Sequence, residues 1–411
     1  MAEPFPPEGL PLAEARQRVL AALTPLDGLE RRPLAACLGR VSAEDCVASE
    51  AVPGFRAAIM DGYAVADGVL PAQGARWRLV GRSAPGVPFP GVLAEGETIR
   101  VLTGAPLPDG AARVLPQELV QRQGDSLLLC GEAGMNPWIR AADEEAAPGQ
   151  RLLEAGVRLG PAHLGRLASC GVATLAVGRR PRVGLLISGD ELVAAGTARR
   201  PGTIWESNGT LLEALLVQLG HGVAERRVVA DEPVALAAAL EQLAAGCDVV
   251  VSTGGVSAGD ADWIRPLLEE RGTVDFWKLF LKPGRPFAFG QLGGKPFFGL
   301  PGNPVAAAIT ALQLLWPALE ALEGTEPALL PRLQVQLETA LKRGPGRPEL
   351  ARARLVVGAE GELLARVEGS QASSRIGSLQ GADLLLEIPA DQGYLEAGTR
   401  LWAQLLRLPL L

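Results

Sequence analysis

The spacing of apolar and polar residues changes along the chain, and each change predicts a different kind of structure. Residues 11–23 repeat apolar side chains with the period of an α-helix. From 46 to 142, proline and glycine interrupt short apolar runs roughly every ten residues, which is typical of an all-β domain. A second helical pattern covers 161–169. We therefore predict an N-terminal helical domain, in which these two helices pack together, interrupted by an inserted β domain.

The middle of the chain alternates between strand and helix patterns. Predicted strands lie at 183–187, 227–230, 248–252, 276–281 and 296–300. Predicted helices lie at 207–219, 233–245, 261–270 and 304–322, and Ser207 or Asn208 is expected to cap the first of them. This alternation indicates a doubly wound sheet, on which ligands bind beyond the carboxyl ends of the strands. The turns at Ser188, Asp231, Thr253 and Pro301 would then face one crevice.

Beyond Pro331 the apolar period becomes two, which indicates a small barrel or sandwich. The predicted fold class is a multidomain α/β plus β protein. It has a central doubly wound α/β domain, an N-terminal helical region, an inserted β domain and a C-terminal β-barrel-like domain. The predicted domains are 1–45 with 143–180 for the helical part, 46–142 for the insert, 181–326 for the centre and 330–411 for the C-terminal part.

Composition excludes several kinds of site. The five cysteines are scattered without a Cys-x-x-Cys pair, which argues against a disulfide framework or a zinc site. Two histidines are too few for a multi-histidine metal centre, and a net charge of −7 disfavours a nucleic-acid surface. No apolar run reaches the roughly 18 residues of a membrane span, and no secretory pattern is visible. We expect a cytoplasmic protein without a membrane or nucleic-acid partner.

The most informative segment is a β-branched run that enters a glycine turn, followed at once by Asp260 and Asp262. The strand 249–251 has the pattern of one buried on both faces. In the turn Thr253-Gly254-Gly255, backbone N–H groups not covered by side chains are suited to phosphate oxygens. The two aspartates could hold a hard cation such as Mg²⁺ beside them. The alternative is an ordinary tight turn, which any α/β domain needs.

Other turns of the predicted sheet carry similar chemistry. Glu191 and Asp231 follow two of the strands, and Pro301-Gly302-Asn303-Pro304 begins a helix whose positive end attracts anions. Since carboxylates repel an anion unless a divalent cation bridges them, we expect Mg²⁺ and a phosphorylated ligand together. Lys278 and Lys282 are two of only four lysines in a chain rich in arginine, and we expect compact positive charges there. They would otherwise be solvated side chains on one face of a strand.

Two motifs of the predicted insert are less telling by themselves. Asp61 precedes a glycine in Met60-Asp61-Gly62-Tyr63, and Thr103 precedes Gly104 at the end of an apolar run. Spacing alone favours a simple turn and a strand end.

Six motifs, taken in order, resemble those of the molybdopterin molybdenumtransferases, the MoeA family, which is related to the E domain of gephyrin and its plant counterpart. They lie at 60–65, 103–106, 188–191, 252–262, 276–290 and 300–304. The resemblance covers nearly the whole chain. It implies an elongated four-domain homodimer whose central domain is of the molybdopterin-binding type. It also implies insertion of molybdate into adenylylated molybdopterin with release of AMP, dependence on Mg²⁺, and partner proteins of cofactor synthesis.

The resemblance also implies roles for individual residues. Asp61 and Thr103 fall on family positions that would face the sheet edge of the partner subunit. The catalytic positions are Asp61, Thr103, Glu191, Asp231, Asp262, Lys278 and Lys282. The substrate-binding positions are Thr253, Gly254, Gly255, Ser257, Gly259, Arg285, Pro301, Asn303, Pro304, Arg347, Ser373 and Ser374. The metal positions are Asp260, Asp262, Glu191, Asp231 and Glu145.

Some residues depart from the family pattern, and other functions compete. Glu145 stands where aspartate is usual, and Arg285 replaces the second lysine of Lys-Pro-Gly-Lys-Pro. A CinA-like nucleotide pyrophosphatase would use the same turn and metal. A gephyrin-like scaffold would need no catalysis. The large β insert and the C-terminal domain argue against adenylyl transfer to molybdopterin itself.

Overall fold

The computed structural model describes residues 9–255 and 263–407, and the bounds below refer to these residues. Up to residue 180 the helices are α1 (Leu12–Ala21) and α2 (Pro161–Ser169). The strands of this part are β1 (Leu29–Pro33), β2 (Cys46–Val47), β3 (Ala57–Ala58), β4 (Gly62–Val65), β5 (Arg76–Ser83), β6 (Glu97–Val101), β7 (Arg113–Pro116), β8 (Val120–Gln123), β9 (Ser126–Leu129), β10 (Ile139–Arg140), β11 (Arg151–Leu153) and β12 (Thr174–Gly178).

The inserted part forms a six-stranded sheet in the order β7-β4-β6-β5-β9-β8. Around it, β1 pairs with β12 and β2 pairs with β11, so the N-terminal region holds more strand than predicted. The expected packing of the two helices on each other is wrong. Ala15 and Val19 of α1 are buried with Trp316 in the core of the central domain, whereas Leu167 of α2 belongs to a separate core with Leu152. The apolar face of α1 thus finds its partner almost 300 residues later in the chain.

The central part contains strands and helices in alternation. Its strands are β13 (Val183–Ser188), β14 (Leu192–Val193), β15 (Ile204–Trp205), β16 (Val223–Val229), β17 (Val249–Thr253), β18 (Gly272–Trp277), β19 (Ala288–Leu292) and β20 (Lys295–Leu300). Its helices are α3 (Asn208–Gln218), α4 (Pro233–Gly246), α5 (Ile264–Arg271), α6 (Pro304–Thr310) and α7 (Trp316–Leu322), and a π-helical segment, Ala311–Leu315, joins the last two.

These strands form a six-stranded sheet in the order β16-β13-β17-β20-β19-β18. The pairs from β16 to β20 are parallel, and β19 runs antiparallel to both its neighbours. Along β17, Val249 and Val251 lie in one core and Val250 in the core on the opposite face. Since successive side chains of a strand point to opposite faces, this burial confirms the predicted doubly wound sheet.

Two details of the sheet differ from the sequence-based prediction. The strand expected at 276–281 ends at Trp277, because Lys278 has a left-handed backbone (φ 72°) that ends the regular pairing. β19 was not predicted, since its residues Ala288–Leu292 include a glycine and a glutamine that break the apolar run.

The continuous helix from α6 to α7 corrects the expectation that no apolar run reaches the length of a membrane span. Pro304–Leu322 has the length and apolar character of a membrane span, although no sufficiently long apolar run was expected. Within this helix, 89% of an apolar 18-residue stretch is buried inside the protein. The helix is therefore the central core helix of this domain.

The C-terminal part is a closed barrel in the order β21-β23-β22-β24-β25. Its strands are β21 (Arg332–Leu337), β22 (Glu349–Val357), β23 (Leu363–Arg366), β24 (Leu384–Ile388) and β25 (Arg400–Leu405). The barrel resolves the choice between barrel and sandwich that the sequence left open. The predicted fold class is confirmed, and the four domain boundaries stay predictions.

The entry to β17 contains a charged contact with a testable effect on stability. The Asp248 carboxylate accepts hydrogen bonds from Arg179 at 2.7 and 3.0 Å and from the backbone N–H of Arg182 at 2.8 Å. Burial alone raises the pKa of Asp248, but these hydrogen bonds and the Arg179 charge outweigh it and hold the pKa below the ordinary 3.8.

We expect Asp248→Asn to lower the free energy of unfolding at neutral pH by about 1–2 kcal/mol, because the amide cannot accept all three bonds. The folded-state pKa is depressed, so this stabilisation is present above about pH 4 and is lost as the pH falls through the folded-state pKa. Urea unfolding at several pH values should show the two proteins converging under acid. Asp275→Asn, at an exposed carboxylate of β18, is the control and should change little.

Candidate active site

A cleft of about 900 Å³ lies at the carboxyl edge of the central sheet, between that edge and the C-terminal barrel. Ser188, Thr253 and Pro301 line it at the ends of β13, β17 and β20. The barrel side contributes Arg347, Ser373 and Ser374. We call this space the sheet-edge cleft. The other described residues that line the cleft are Glu191, Leu192, Ile204, Trp205, Glu206, Ser207, Asn208, Gly254, Gly255, Lys282, Pro283, Gly284, Arg285, Pro286, Gly302, Asn303, Pro304, Ala306, Gln371, Ala372 and Ile376.

The glycine turn after β17 is held tightly against the neighbouring strand. Gly254 has a φ of +87°, and a Cβ atom there would lie 2.6 Å from the carbonyl oxygen of Ser188. A side chain at this position would therefore displace the end of β13. The buried Asn208 amide donates to Gly302 O at 2.7 Å and to Thr253 Oγ1 at 3.4 Å. Asn208 thus fastens the glycine turn to the turn that precedes α6.

The N-terminus of α6 forms a second wall of the sheet-edge cleft. Pro301, Asn303 and Pro304 line the cleft, and the Asn303 side chain makes no capping hydrogen bond to the helix. The backbone N–H of Val305 donates to Ser373 O at 3.1 Å, which joins the helix to the barrel. The positive end of a long helix therefore lies beside the cleft.

Three cationic side chains meet in the sheet-edge cleft. Lys282 Nζ lies 3.1 Å from the carboxylate of Glu349, whose side chain is only 5% exposed. Arg347 donates to Leu281 O at 2.9 Å. Burial and then the charge of Arg285 lower the pKa of Arg347. Like charges held close together would be relieved by an anion, so this wall is suited to an oxyanion or a phosphate group.

The carboxylates predicted to hold a metal ion at this edge do not all line the cleft. Glu191 lines the cleft and is exposed, whereas Asp231 is not among the lining residues. The Asp231 backbone donates to Asp190 Oδ1 at 3.0 Å, and its own Oδ1 is buried without a hydrogen-bond partner among the described residues. Within the described ranges, no group of three metal-ligating side chains is present. The predicted residues Ser257, Gly259, Asp260 and Asp262 lie outside the described residues.

Lys278 lies at the same edge of the sheet but outside the cleft. It follows β18, and its backbone N–H donates to Phe287 O at 2.8 Å. It is half-buried and is not among the residues that line the cleft. Its role as a catalytic residue stays a prediction.

Asp61 and Thr103 form a site of their own in the inserted sheet. Asp61 Oδ1 accepts two hydrogen bonds of 2.8 Å, from the backbone N–H and from the hydroxyl of Thr103. The Thr103 backbone bond, then its hydroxyl and the Arg100 charge, hold the pKa of Asp61 below its ordinary value. The pair does not line the sheet-edge cleft. The carboxylate is thus fixed and ionised, yet separate from the cleft within one chain.

Glu145 also lies outside the cleft. Its carboxylate pairs with Arg166 of α2 at 3.0 Å, and its backbone N–H donates to Val52 O at 3.0 Å. Glu145 therefore does not line the cleft with Glu191, and within the described chain it is not part of a metal-ligating group.

Several contacts of this site were not predicted, although 205–208 was expected to form a polar turn at a helix start. Ser207 occupies the N-cap position of α3 as expected, but its side chain makes no capping hydrogen bond, and the backbone N–H of Gly209 donates to Glu206 Oε1 at 2.7 Å instead. Asn208 ties two turns together, and Glu349 holds Lys282. An asparagine at a helix start and a glutamate entering a strand are common, so only their contacts across the fold distinguish them.

The comparisons with known proteins agree with this architecture. The model of the MoeA N-terminal region (domains I and II) matches residues 10–171. The model of a probable molybdopterin binding domain matches 184–321, and that of the MoeA C-terminal region (domain IV) matches 334–406. The sheet-edge cleft lies between the second and third of these matches. Fold and site together define a protein of MoeA architecture built around a molybdopterin-binding domain.

Relatives extend over almost the whole chain. A molybdopterin molybdenumtransferase of Haemophilus influenzae is 33% identical, over 95% of this chain and 96% of the relative. Gephyrin of Dictyostelium discoideum is 28% identical, over 92% of this chain and 59% of gephyrin. The crystal structure of a molybdopterin biosynthesis MoeA protein from Pyrococcus horikoshii has 26% identity and a TM-score of 0.81, covering 97% of this chain and 100% of that chain. The chain therefore belongs to the molybdopterin molybdenumtransferase family, a family of enzymes of molybdenum cofactor biosynthesis.

Proposed function

We propose that this enzyme inserts molybdate into adenylylated molybdopterin and releases AMP, with Mg²⁺ as its metal. The observation that carries the proposal is the meeting of Lys282, Arg285 and Arg347 with a glycine turn and a helix N-terminus in one cleft. Each of these groups favours negative charge. Molybdate is a dianion, and the second substrate carries phosphate groups, so a cleft of this kind suits both.

The protein needs to supply placement and charge stabilisation more than a covalent nucleophile. The dithiolene sulfurs of molybdopterin are themselves nucleophilic toward the metal. Lys282 and the two arginines would hold the oxyanion and offset charge on the departing AMP. The backbone N–H groups of Gly254 and Gly255 would orient a phosphate group. Asn208 keeps this turn and the Pro301–Asn303 turn in register, so the two walls grip one ligand together.

The carboxylates at the sheet edge support a place for Mg²⁺. The buried oxygen of Asp231 has no partner among the described residues, and such an atom is costly unless a cation or donor meets it. We infer that Asp231 and Glu191, with Asp260 and Asp262, would hold the ion. When bound, Mg²⁺ offsets negative charge on phosphate oxygens.

The proposal is tested by the release of AMP. The full-length protein is incubated anaerobically with adenylylated molybdopterin, with or without molybdate and with Mg²⁺ or a chelator. We expect AMP to appear only when molybdate and Mg²⁺ are both present. Sulfate, a dianion of the same shape that cannot be inserted, is the matched control and should give no AMP.

The same assay separates the competing functions. AMP release that does not need molybdate would indicate a CinA-like pyrophosphatase and contradict the proposal. No release under any condition would favour a gephyrin-like scaffold. Either result would leave the family assignment intact while changing the reaction.

The remaining predictions concern assembly and location. A homodimer is supported by the separation of the Asp61–Thr103 pair from the sheet-edge cleft, since a second chain could bring the two together. Partner proteins of cofactor synthesis and a cytoplasmic location stay predictions.

A further inference from the structure

Trp205 is the only aromatic side chain among the described residues that line the sheet-edge cleft. Trp205 is 49% exposed, and its neighbour Ile204, which also lines the cleft, is 50% exposed. The rest of the lining is dominated by glycine, proline, hydroxyl, amide and charged side chains. A ligand that covers this exposed apolar ring would remove its surface from water, which favours binding.

The position of the Trp205 ring is fixed from several sides. Its indole N–H donates to Thr197 O at 2.9 Å. The strand that carries it, β15, pairs with β14 directly after Glu191, where Ile204 N donates to Glu191 O at 2.7 Å. The ring is therefore preorganised beside a carboxylate predicted to hold the metal, and little side-chain freedom is lost when a ligand binds.

An arginine lies over one face of the Trp205 ring. The Arg199 guanidinium lies 4.4 Å from the ring centroid, and Arg199 does not line the cleft whereas Trp205 does. Arg199 is also tied to Thr203 O at 3.3 Å, which keeps it in place. A planar ligand in the cleft would complete a stack of cation, indole and heterocycle.

We propose that Trp205 is the stacking platform for a flat bicyclic heterocycle of the substrate, either its adenine or its pterin ring. This inference rests on the proposed function, because both rings belong to adenylylated molybdopterin. It assigns the cleft two kinds of contact: the cations Lys282, Arg285 and Arg347 for oxyanion and phosphate, and Trp205 for an aromatic ring. One substrate molecule would make both contacts.

The test measures binding to the full-length protein by calorimetry with three probes: AMP, neopterin and ribose phosphate. AMP carries the adenine and neopterin the pterin, whereas ribose phosphate has no aromatic ring. Trp205→Ala should raise the Kd for AMP or for neopterin by about tenfold, since stacking on an aromatic side chain contributes that much or more. The probe that is affected identifies the ring. Ribose phosphate should bind with unchanged affinity.

Two further variants keep the inference falsifiable. Trp205→Phe retains a flat ring and should restore most of the affinity even if Trp205→Ala unfolds. Trp402→Ala is the matched control, since Trp402 is 44% exposed with Arg332 at 4.7 Å from its ring but does not line the cleft. It should bind all probes like the wild type.

The inference fails if Trp205→Ala binds AMP and neopterin normally, if Trp205→Phe is as weak as a folded Trp205→Ala, or if the wild type binds neither aromatic probe. The proposed function is tested separately, by the release of AMP that depends on molybdate. In that assay a stacking role predicts a raised KM with a nearly unchanged kcat.

Discussion

Lys282→Ala should reduce the rate of the proposed molybdate insertion by about 10²–10³-fold, the loss typical when one preorganised charge-stabilising group is removed. The lysine reaches the sheet-edge cleft from a segment held at both ends. Its backbone N–H donates to Pro348 O at 2.9 Å, and its carbonyl accepts from Leu350 N at 2.8 Å. The buried carboxylate of Glu349 lies 3.1 Å from the Lys282 ammonium and keeps it in position. The charge is thus in place before any ligand arrives, and no reorganisation is needed during reaction.

The expected loss is specific to this position. Lys282→Arg keeps the charge and should retain more activity than Lys282→Ala, although the planar guanidinium differs in geometry from the compact ammonium. Lys342→Ala, at an exposed lysine outside the cleft, should leave the rate unchanged. In Lys282→Ala the Glu349 carboxylate still faces Arg343 at 3.4 Å, so the variant should fold. A folded Lys282→Ala protein that works at nearly the wild-type rate would remove Lys282 from the mechanism.

The fold was largely predictable where burial follows a local pattern. Three consecutive valines before the glycine turn predicted a strand buried on both faces, and their side chains divide between two cores. Such a pattern depends only on the two-residue period of a strand. The core into which α1 packs could not be predicted. The apolar face of an amphipathic helix indicates that it packs against an apolar surface, but not which surface of the protein that is. Its partner lies in the core around Trp316, far along the chain.

The site was predictable as a set of turns at one sheet edge, since the carboxyl ends of parallel strands meet there. Thr253, Lys282, Pro301 and Arg347 line one cleft as the pattern and the family resemblance implied. Backbone conformation and cross-fold contacts were not predictable in the same way. The left-handed Lys278 ends β18 early and lies outside the cleft, and nothing in its local sequence signals that turn. The Glu349 contact with Lys282 joins residues 67 positions apart.

A mixture of two inactive variants, Asp61→Ala and Lys282→Ala, should recover about a quarter of the wild-type activity if each active site is shared between two chains. Asp61 is the reason to expect this. Its carboxylate is held by Thr103 and kept ionised, yet it does not line the cleft of its own chain. We therefore infer that Asp61 would meet the cleft cations of a partner chain, as the family resemblance implies.

The figure of a quarter follows from symmetry. Random reassortment makes about half of the dimers mixed, and in each mixed dimer one site receives both substitutions while the other receives none. The variants must therefore be unfolded and refolded together, or coexpressed, and compared with each refolded alone. If the two residues act within one chain, every site carries one substitution and no activity returns. Light scattering on the same samples separates this result from a monomeric protein, which would contradict the shared site by itself.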